Sequence, residues 1–401
     1  MQKILIVLIL IIHSILANSQ NVMLNGLVTD SLTNEPIAYA HILSDDGQGT
    51  ISNQYGLFEF KLVRSKITLV ISCIGYERKE IVIRNPGKEQ LEIKLNPHIT
   101  RLAEITITST PLNPRDIVKK AKQNIINNYN QKPFSREEFI RIKRFDERGN
   151  MHQHLETFWE EFLVNGYSLK SAHGIINLKH GRTLVSSAKI NDDHIFFYDF
   201  NFLKRHDINF YTYPWTNFAS YEYKLSDEVF EYEGNDVYVI TYRLINPDKA
   251  KGGYENAIKV EGKLYIEETA FAFLRIEENV VFKEHSEKEM FERELENNRQ
   301  KGGIKPERHN IYLSYVLNFR KQGGYYYLVH SNAYQNYFVL DNTSNIFLKE
   351  SSCANMLVTE LNATTPNSGL KSNWLYSKLK EDKAFWESQN VYLDEQDKCL
   401  K

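Results

Sequence analysis

The short signatures that announce a catalytic chemistry are missing from this chain. It has no HExxH, no GxSxG elbow, no Walker loop and no dinucleotide fingerprint. Cysteine is scarce. The three in 401 residues, Cys73, Cys353 and Cys399, form neither a CxxC pair nor a metal-ligand spacing. Charge of one sign is lacking too: the formal net charge is -2, which excludes attraction to nucleic acid or a membrane surface through bulk charge. Beyond the first twenty residues no run is long and apolar enough to span a membrane as a helix. The serines and cysteines sit in no protease context, and "DDGQGT" (45–50) opens no helix, so it reads as a turn and not a phosphate cradle. These absences lead to the expectation of a non-catalytic protein without a cofactor or metal.

What is present begins with "MQKILIVLILIIHSILANSQ". A lysine, an apolar run and a small-x-small exit describe a signal peptide, residues 1–19, cleaved before Gln20. The expectation is export to the periplasm, the outer-membrane surface or the cell surface. In an oxidising compartment Cys353 and Cys399 could bridge, a question that spacing leaves open, while Cys73 reads as a small core residue in a strand. Aromatics make up 12% of the chain, with 24 Tyr and 22 Phe, a composition suited to half-exposed β-sheet faces.

Residues 22–97 break into short β-like runs about ten residues apart, which predicts a small antiparallel sandwich. Alternation places Ile67, Leu69, Ile71 and Cys73 on one face, joined by Leu91, Ile93 and Leu95, with Glu92 and Lys94 toward water. "TDSLTNEP" and "SNQYG" supply the turn chemistry. "GLVTDSLTNEPIAYAHILSDDGQGTISNQYGLFEFKL" followed by "LVISCIGYERKEIVI" resembles the carboxypeptidase regulatory-like domain. The points of agreement include Gly26, Asp30, Pro36, Asn53, Gly56, Phe58 and the pair Gly75-Tyr76. The resemblance implies a seven-stranded, transthyretin-like sandwich, an accessory fold without peptidase activity that often opens longer exported chains of Bacteroidetes-type bacteria. Gly75 is expected to allow a tight bend at positive φ, with the Tyr76 ring over the end of the sandwich.

Residues 98–112 read as a linker, and 113–401 as a larger β-rich region that opens with a helix. Asn113 can cap it, Pro114 suits its first turn, and Ile117, Val118, Ala121 and Ile125 form its apolar stripe, ending near Tyr129. Long hairpins follow, turning near residues 147–150, Glu233-Gly234, Glu267–Ala270 and Gly323-Gly324. They predict one large curved antiparallel sheet with at least one packed helix. "GKLYIEETAFAFLRIEENV" is similar to strands of exported half-barrel carriers of lipids or lipoproteins. Residues 283–308, dense in both charges, read as a solvated helix or loop.

Three stretches offer chemistry. His152, His154 and Glu156 would share a strand face, either as the start of a metal site or as an exposed polar face beside a turn. Glu160 and Glu161 point to opposite faces and so cannot form a glycosidase pair by themselves; solvated charge is the expectation. The aromatic run 194–223 holds Phe196, Phe197, Tyr198, Phe200, Tyr211, Tyr213 and Trp215. It reads either as filling for the concave side of the sheet or as a contact surface for a ligand or partner. The expected role is binding or assembly in the cell envelope, with an envelope protein as partner. A carrier of an apolar lipid-like ligand and an enzyme of unknown class are the alternatives.

Overall fold

The computed structural model describes residues 22–45, 48–62, 66–84, 90–101, 113–168, 174–186, 203, 207–208, 217–247, 254, 256–301, 308–341, 344–363 and 381–389. The molecule is mainly β. The described residues fall into two compact units. The first takes the chain through Cys73, then Glu77–Pro97 and the segment from Asp382; the second takes Ile74–Tyr76 and His98–Glu381.

The first unit contains seven strands in two sheets. One sheet orders β1 (Val22–Asp30) between β4 (Leu57–Leu62) and β7 (Leu91–Leu95). The other runs β3 (Gly49–Ile51), β2 (His41–Ser44), β5 (Lys66–Ser72) and β6 (Lys79–Arg84). The expected alternation holds: Ile67, Leu69, Ile71, Cys73, Ile93 and Leu95 are buried, while Glu92 and Lys94 are exposed. The sandwich is not wholly antiparallel as expected, because β1 and β7 pair in parallel. The turn residues act through their side chains. Asp30 Oδ1 accepts from the amides of Leu32 and Thr33, and Asn53 Oδ1 from those of Tyr55 and Leu57.

The second unit is built on one antiparallel sheet, eleven strands in a continuous path and a twelfth beside it. The path runs β11 (Ile175–Ser186), β10 (Met151–Leu163), β9 (Phe134–Asp146), β19 (Ile346–Asn362), β18 (Tyr325–Asp341), β17 (Arg308–Gln322), β16 (Phe273–Phe282), β15 (Ala257–Glu267), β14 (Asn235–Leu244), β13 (Glu228–Tyr232) and β8 (Ile99–Arg101). Strand β12 (Tyr221–Leu225) also pairs with β14. Strand β8 lies within the span expected as a linker. Its pairing with β13 gives those backbone groups partners that a free linker would find only in water.

The chain first lays the short β8 at one edge of this sheet, passes to its middle at β9 and reaches the opposite edge at β11. It resumes at β12, toward the other end, and returns strand by strand until β19 closes on β9. The connection between β11 and β12 therefore links opposite ends of the sheet, and it carries the aromatic run. Of that run, Leu203, Asp207, Ile208 and residues 217–223 are described, and Leu203, Ile208, Tyr221 and Tyr223 lie in the core of the second unit.

Helix α1 (Pro114–Asn128) forms as the sequence predicts. Asn113 Oδ1 accepts the Arg115 amide, and Ile117, Val118, Ala121 and Ile125 are buried in the core. Tyr129 ends the helix with its hydroxyl on the Phe273 carbonyl, 2.8 Å away. Helix α2 (Glu287–Lys301) fills the charge-dense stretch. Its start is a capping box: the Ser286 amide donates to Glu289 Oε2, and the Glu289 amide to Ser286 Oγ. A short helix, α3 (Lys383–Ser388), belongs to the first unit. No described helix is long and apolar enough to cross a membrane.

Candidate functional site

In β9 the residues Phe134, Arg136, Glu138, Ile140 and Ile142 share one face, and that face is the core. Two charged side chains thus stand where the period-2 pattern demands apolar ones. The facing strand answers them in register, Glu161 opposite Arg136 and Trp159 opposite Glu138. The Arg136 guanidinium donates to Glu161 Oε2 at 2.8 and 3.0 Å, to Asp207 Oδ2 at 3.1 Å and to the Tyr167 hydroxyl at 3.3 Å. It also pairs with Glu138 Oε1 at 2.5 Å, and Trp159 Nε1 donates to Glu138 Oε2. Arg136 is 1% exposed and Glu138 0%. Burial works against the guanidinium charge, yet Glu138 and Glu161 outweigh it and keep the group firmly protonated. Three carboxylates, Glu138, Glu161 and Asp207, surround this one buried cation in a hydrogen-bonded clasp.

Glu160, on the opposite face, contacts Lys179 at 3.1 Å, and Lys179 also pairs with Glu137. Glu160 and Glu161 therefore do point to opposite faces. They are not solvated, however. Both are buried, because Lys179 and Arg136 stand ready to compensate them.

His152, His154 and Glu156 are brought near partners of their own. Glu156 is 1% exposed and lies between Arg141 Nε at 2.6 Å and Arg182 Nε at 2.7 Å. Burial alone would raise its carboxyl, but Arg141, His154 and Arg182 hold it far below the usual range. His154 Nε2 lies 3.4 Å from Glu156, whereas His152 Nε2 lies 3.5 Å from Glu350. Burial pushes His152 down, so its ring is neutral at neutral pH. The face expected as exposed is half-buried at both histidines. Among the described residues no cluster of three or more candidate ligands could hold a metal ion.

An open cavity of about 430 Å³ lies on the solvent face of β12, β14, β15 and β16. Glu222, Arg243 and Glu261 follow one another across the strands in one row, and Lys224, Thr241, Lys263 and Glu277 in the next. Neighbouring charges pair within this surface: Arg243 with Glu222, Lys259 with Glu261 at 2.8 Å, and Arg275 with Glu277 at 2.7 Å. No ion pair is formed by Lys263 among the described residues. The sequence pattern of alternating charge in "KVEGK" and "RIEEN" carries this signal, since residues two apart share a face. The arrangement offers a shallow, hydrophilic groove of both signs.

The aromatic contact residues Phe196, Phe197, Tyr198, Phe200, Tyr211, Tyr213 and Trp215 lie outside the described residues. Cys353, on β19, is disulfide-bonded, and Cys73 is a free, buried thiol.

Residues 24–107 match the CarboxypepD_reg-like domain, so the resemblance read from "GLVTD" to "GYERKE" is upheld over that span. Comparison with curated proteins found no match. Among solved structures the chain is similar to a "putative membrane-associated protein of unknown function" from Bacteroides fragilis. The identity is 8%, over 85% of this chain and 98% of that one. The TM-score is 0.16, too low for the likeness to carry an argument.

Proposed function

We propose that the chain is an exported, non-catalytic binding or assembly protein of the bacterial cell envelope. In this reading the CarboxypepD_reg-like module accompanies a large sheet whose solvent face supplies the contact surface. The observation behind it is the contrast between two kinds of charged group. The Arg136 guanidinium is buried and paired with carboxylates of its own unit. The groove over β12, β14, β15 and β16 is open and lined by both signs of charge, with Lys263 left to an incoming group. Such a surface suits a hydrophilic protein partner, selected by complementary charge and weakened by salt.

The test is crosslinking in intact envelopes followed by a pull-down of the mature chain, compared with a variant carrying Arg243→Glu and Lys263→Glu. Recovery of an envelope protein by the parent chain and its loss with the variant is the expected result. Recovery of nothing above control overturns the reading. Mass spectrometry on the purified protein decides the competing carrier reading, since a stoichiometric lipid would favour a ligand-binding role for the aromatic run, residues 194–223, instead.

A further inference from the structure

One row across the large sheet contains an acid where every neighbour is apolar, aromatic or absent. Tyr242 of β14 stands opposite Gly262 of β15, Gly262 opposite Glu278 of β16, and Glu278 opposite Tyr315 of β17. Gly262 has no side chain, so the Tyr242 ring lies across it and its hydroxyl reaches Glu278 Oε2 at 2.6 Å. Tyr315 donates to Glu278 Oε1 at 2.7 Å. Tyr254, just before β15, also donates to that oxygen, and its hydroxyl lies 3.2 Å from that of Tyr315. Glu278 is 1% exposed.

The groups facing this carboxyl can be named element by element: Tyr242 from β14, Tyr254 from the segment before β15, Tyr315 from β17, and more remotely Tyr221 from β12. All are phenols, and no cation stands among the described groups acting on Glu278. The contrast with Glu156, held between Arg141 and Arg182, is complete. A carboxyl with its proton can donate to one phenol and accept from the others. A bare carboxylate takes three donors but has no counter-charge in an apolar core.

We propose that Glu278 and its three phenols form a proton-operated lock in the core of the large sheet, closed while the carboxyl holds its proton and loosened around Tyr254 when the proton leaves for solvent. Burial raises the carboxyl, the three phenolic bonds lower it, and the outcome is about 7 against an ordinary 4.5. The sign follows. Folded Glu278 keeps its proton where unfolded Glu278 has lost it. Its stabilisation is therefore full below about 4.5 and is lost as pH rises to about 7.

Unfolding of the mature full-length chain in urea from pH 4.5 to 8, beside Glu278→Gln, tests this. Other titrating groups are common to both proteins and cancel in the comparison. The expected result is that the unfolding constant of the parent rises relative to the variant by roughly 100-fold across that window. Amide exchange at Ala257 and Val280, corrected for its intrinsic pH dependence, should quicken above pH 7 in the parent only. A constant difference in unfolding, or equal exchange in both proteins, overturns the proposal. If Glu278→Gln does not fold, Tyr242→Phe removes one donor to the carboxylate and should move the midpoint of the pH-dependent step upward. An unmoved midpoint overturns the proposal as well.

Discussion

Tyr242 occupies the space that a side chain on Gly262 would need. A Cβ on Gly262 would stand 2.5 Å from the Tyr242 hydroxyl oxygen and 2.2 Å from the Glu277 carbonyl oxygen. The first clash involves a ring held in place by Glu278, and the second involves backbone, so neither relaxes cheaply. Gly262→Ala should cost roughly 1–3 kcal/mol of stability, measured by urea unfolding at neutral pH. A variant as stable as the parent would show that the Tyr242 ring is free to move aside.

Gly75 is also irreplaceable, for a different reason. Its φ is +85°, its amide donates to the Glu231 carbonyl at 2.8 Å, and its carbonyl accepts from the His98 amide at 2.8 Å. A Cβ there would lie 2.7 Å from the Phe230 ring. The bend expected from the Gly-Tyr pair is present, but Ile74–Tyr76 belongs with the larger unit and not with the sandwich whose family match it helps to identify. Gly75→Val combines backbone strain with a steric clash and should destabilise the fold by about 1–3 kcal/mol. The thermal transition of the large unit should move down; an unmoved transition in that unit refutes the assignment.

Removing the guanidinium from the Arg136 clasp strands the carboxylates of Glu138, Glu161 and Asp207 in the core. Breaking a buried pair on one side costs roughly 3–5 kcal/mol, more than the pair contributes when intact. Arg136→Met should therefore lower stability by about that amount, and adding Glu161→Gln should restore part of it. Additive losses in the double variant would show that the two residues act independently.

These clusters explain what the sequence disclosed and what it hid. Helix α1 was legible because its cap, its Pro114 and its apolar stripe all lie within fifteen residues. The Asp30 and Asn53 turns and the long hairpins are equally local. The clasp was not, since Arg136 reaches Glu161 across 25 positions and Asp207 across 71. A charged residue in a strand pattern reads as solvated until its partner is in view, which is why Glu160 and Glu161 were expected at the surface. Gly262 gave no sign of its purpose until the register set it beside Tyr242. Gly26 lies beneath the Phe58 ring in the same manner, in the part of the chain that the family match covers.

The cysteines give a covalent prediction. Cys73 is free, Cys353 is bonded, and the chain has three cysteines. Cys399 is therefore the expected partner within one chain. Alkylation of the denatured, unreduced mature protein should modify Cys73 alone, and reduction should expose two further thiols. Peptide mapping under non-reducing conditions should recover the peptides of Cys353 and Cys399 as one species. Recovery of Cys353 joined to a second copy of its own peptide would make the bond intermolecular instead.

His330 works against Glu278 over much of the same pH range. It is fully buried, its Nδ1 lies 3.1 Å from Asn318 Nδ2, and burial together with Arg275 lowers it to about 3 from 6.5. The imidazole is neutral in the folded chain, so Asn318 donates and Nδ1 accepts. Here the unfolded chain binds the extra proton. Stability is full above about 6.5 and falls as pH drops toward about 3, by as much as roughly 10³-fold in the unfolding constant. Between about 4.5 and 6.5 the two slopes oppose one another, and the parent protein should show little net change from this pair. His330→Gln keeps a polar side chain opposite Asn318 without a titrating ring. Its unfolding profile should then reveal the Glu278 slope alone, with stability declining as pH rises through that window. A profile that still matches the parent would mean that His330 takes up its proton in the folded state, and that the buried ring is not what makes this sheet sensitive to acid.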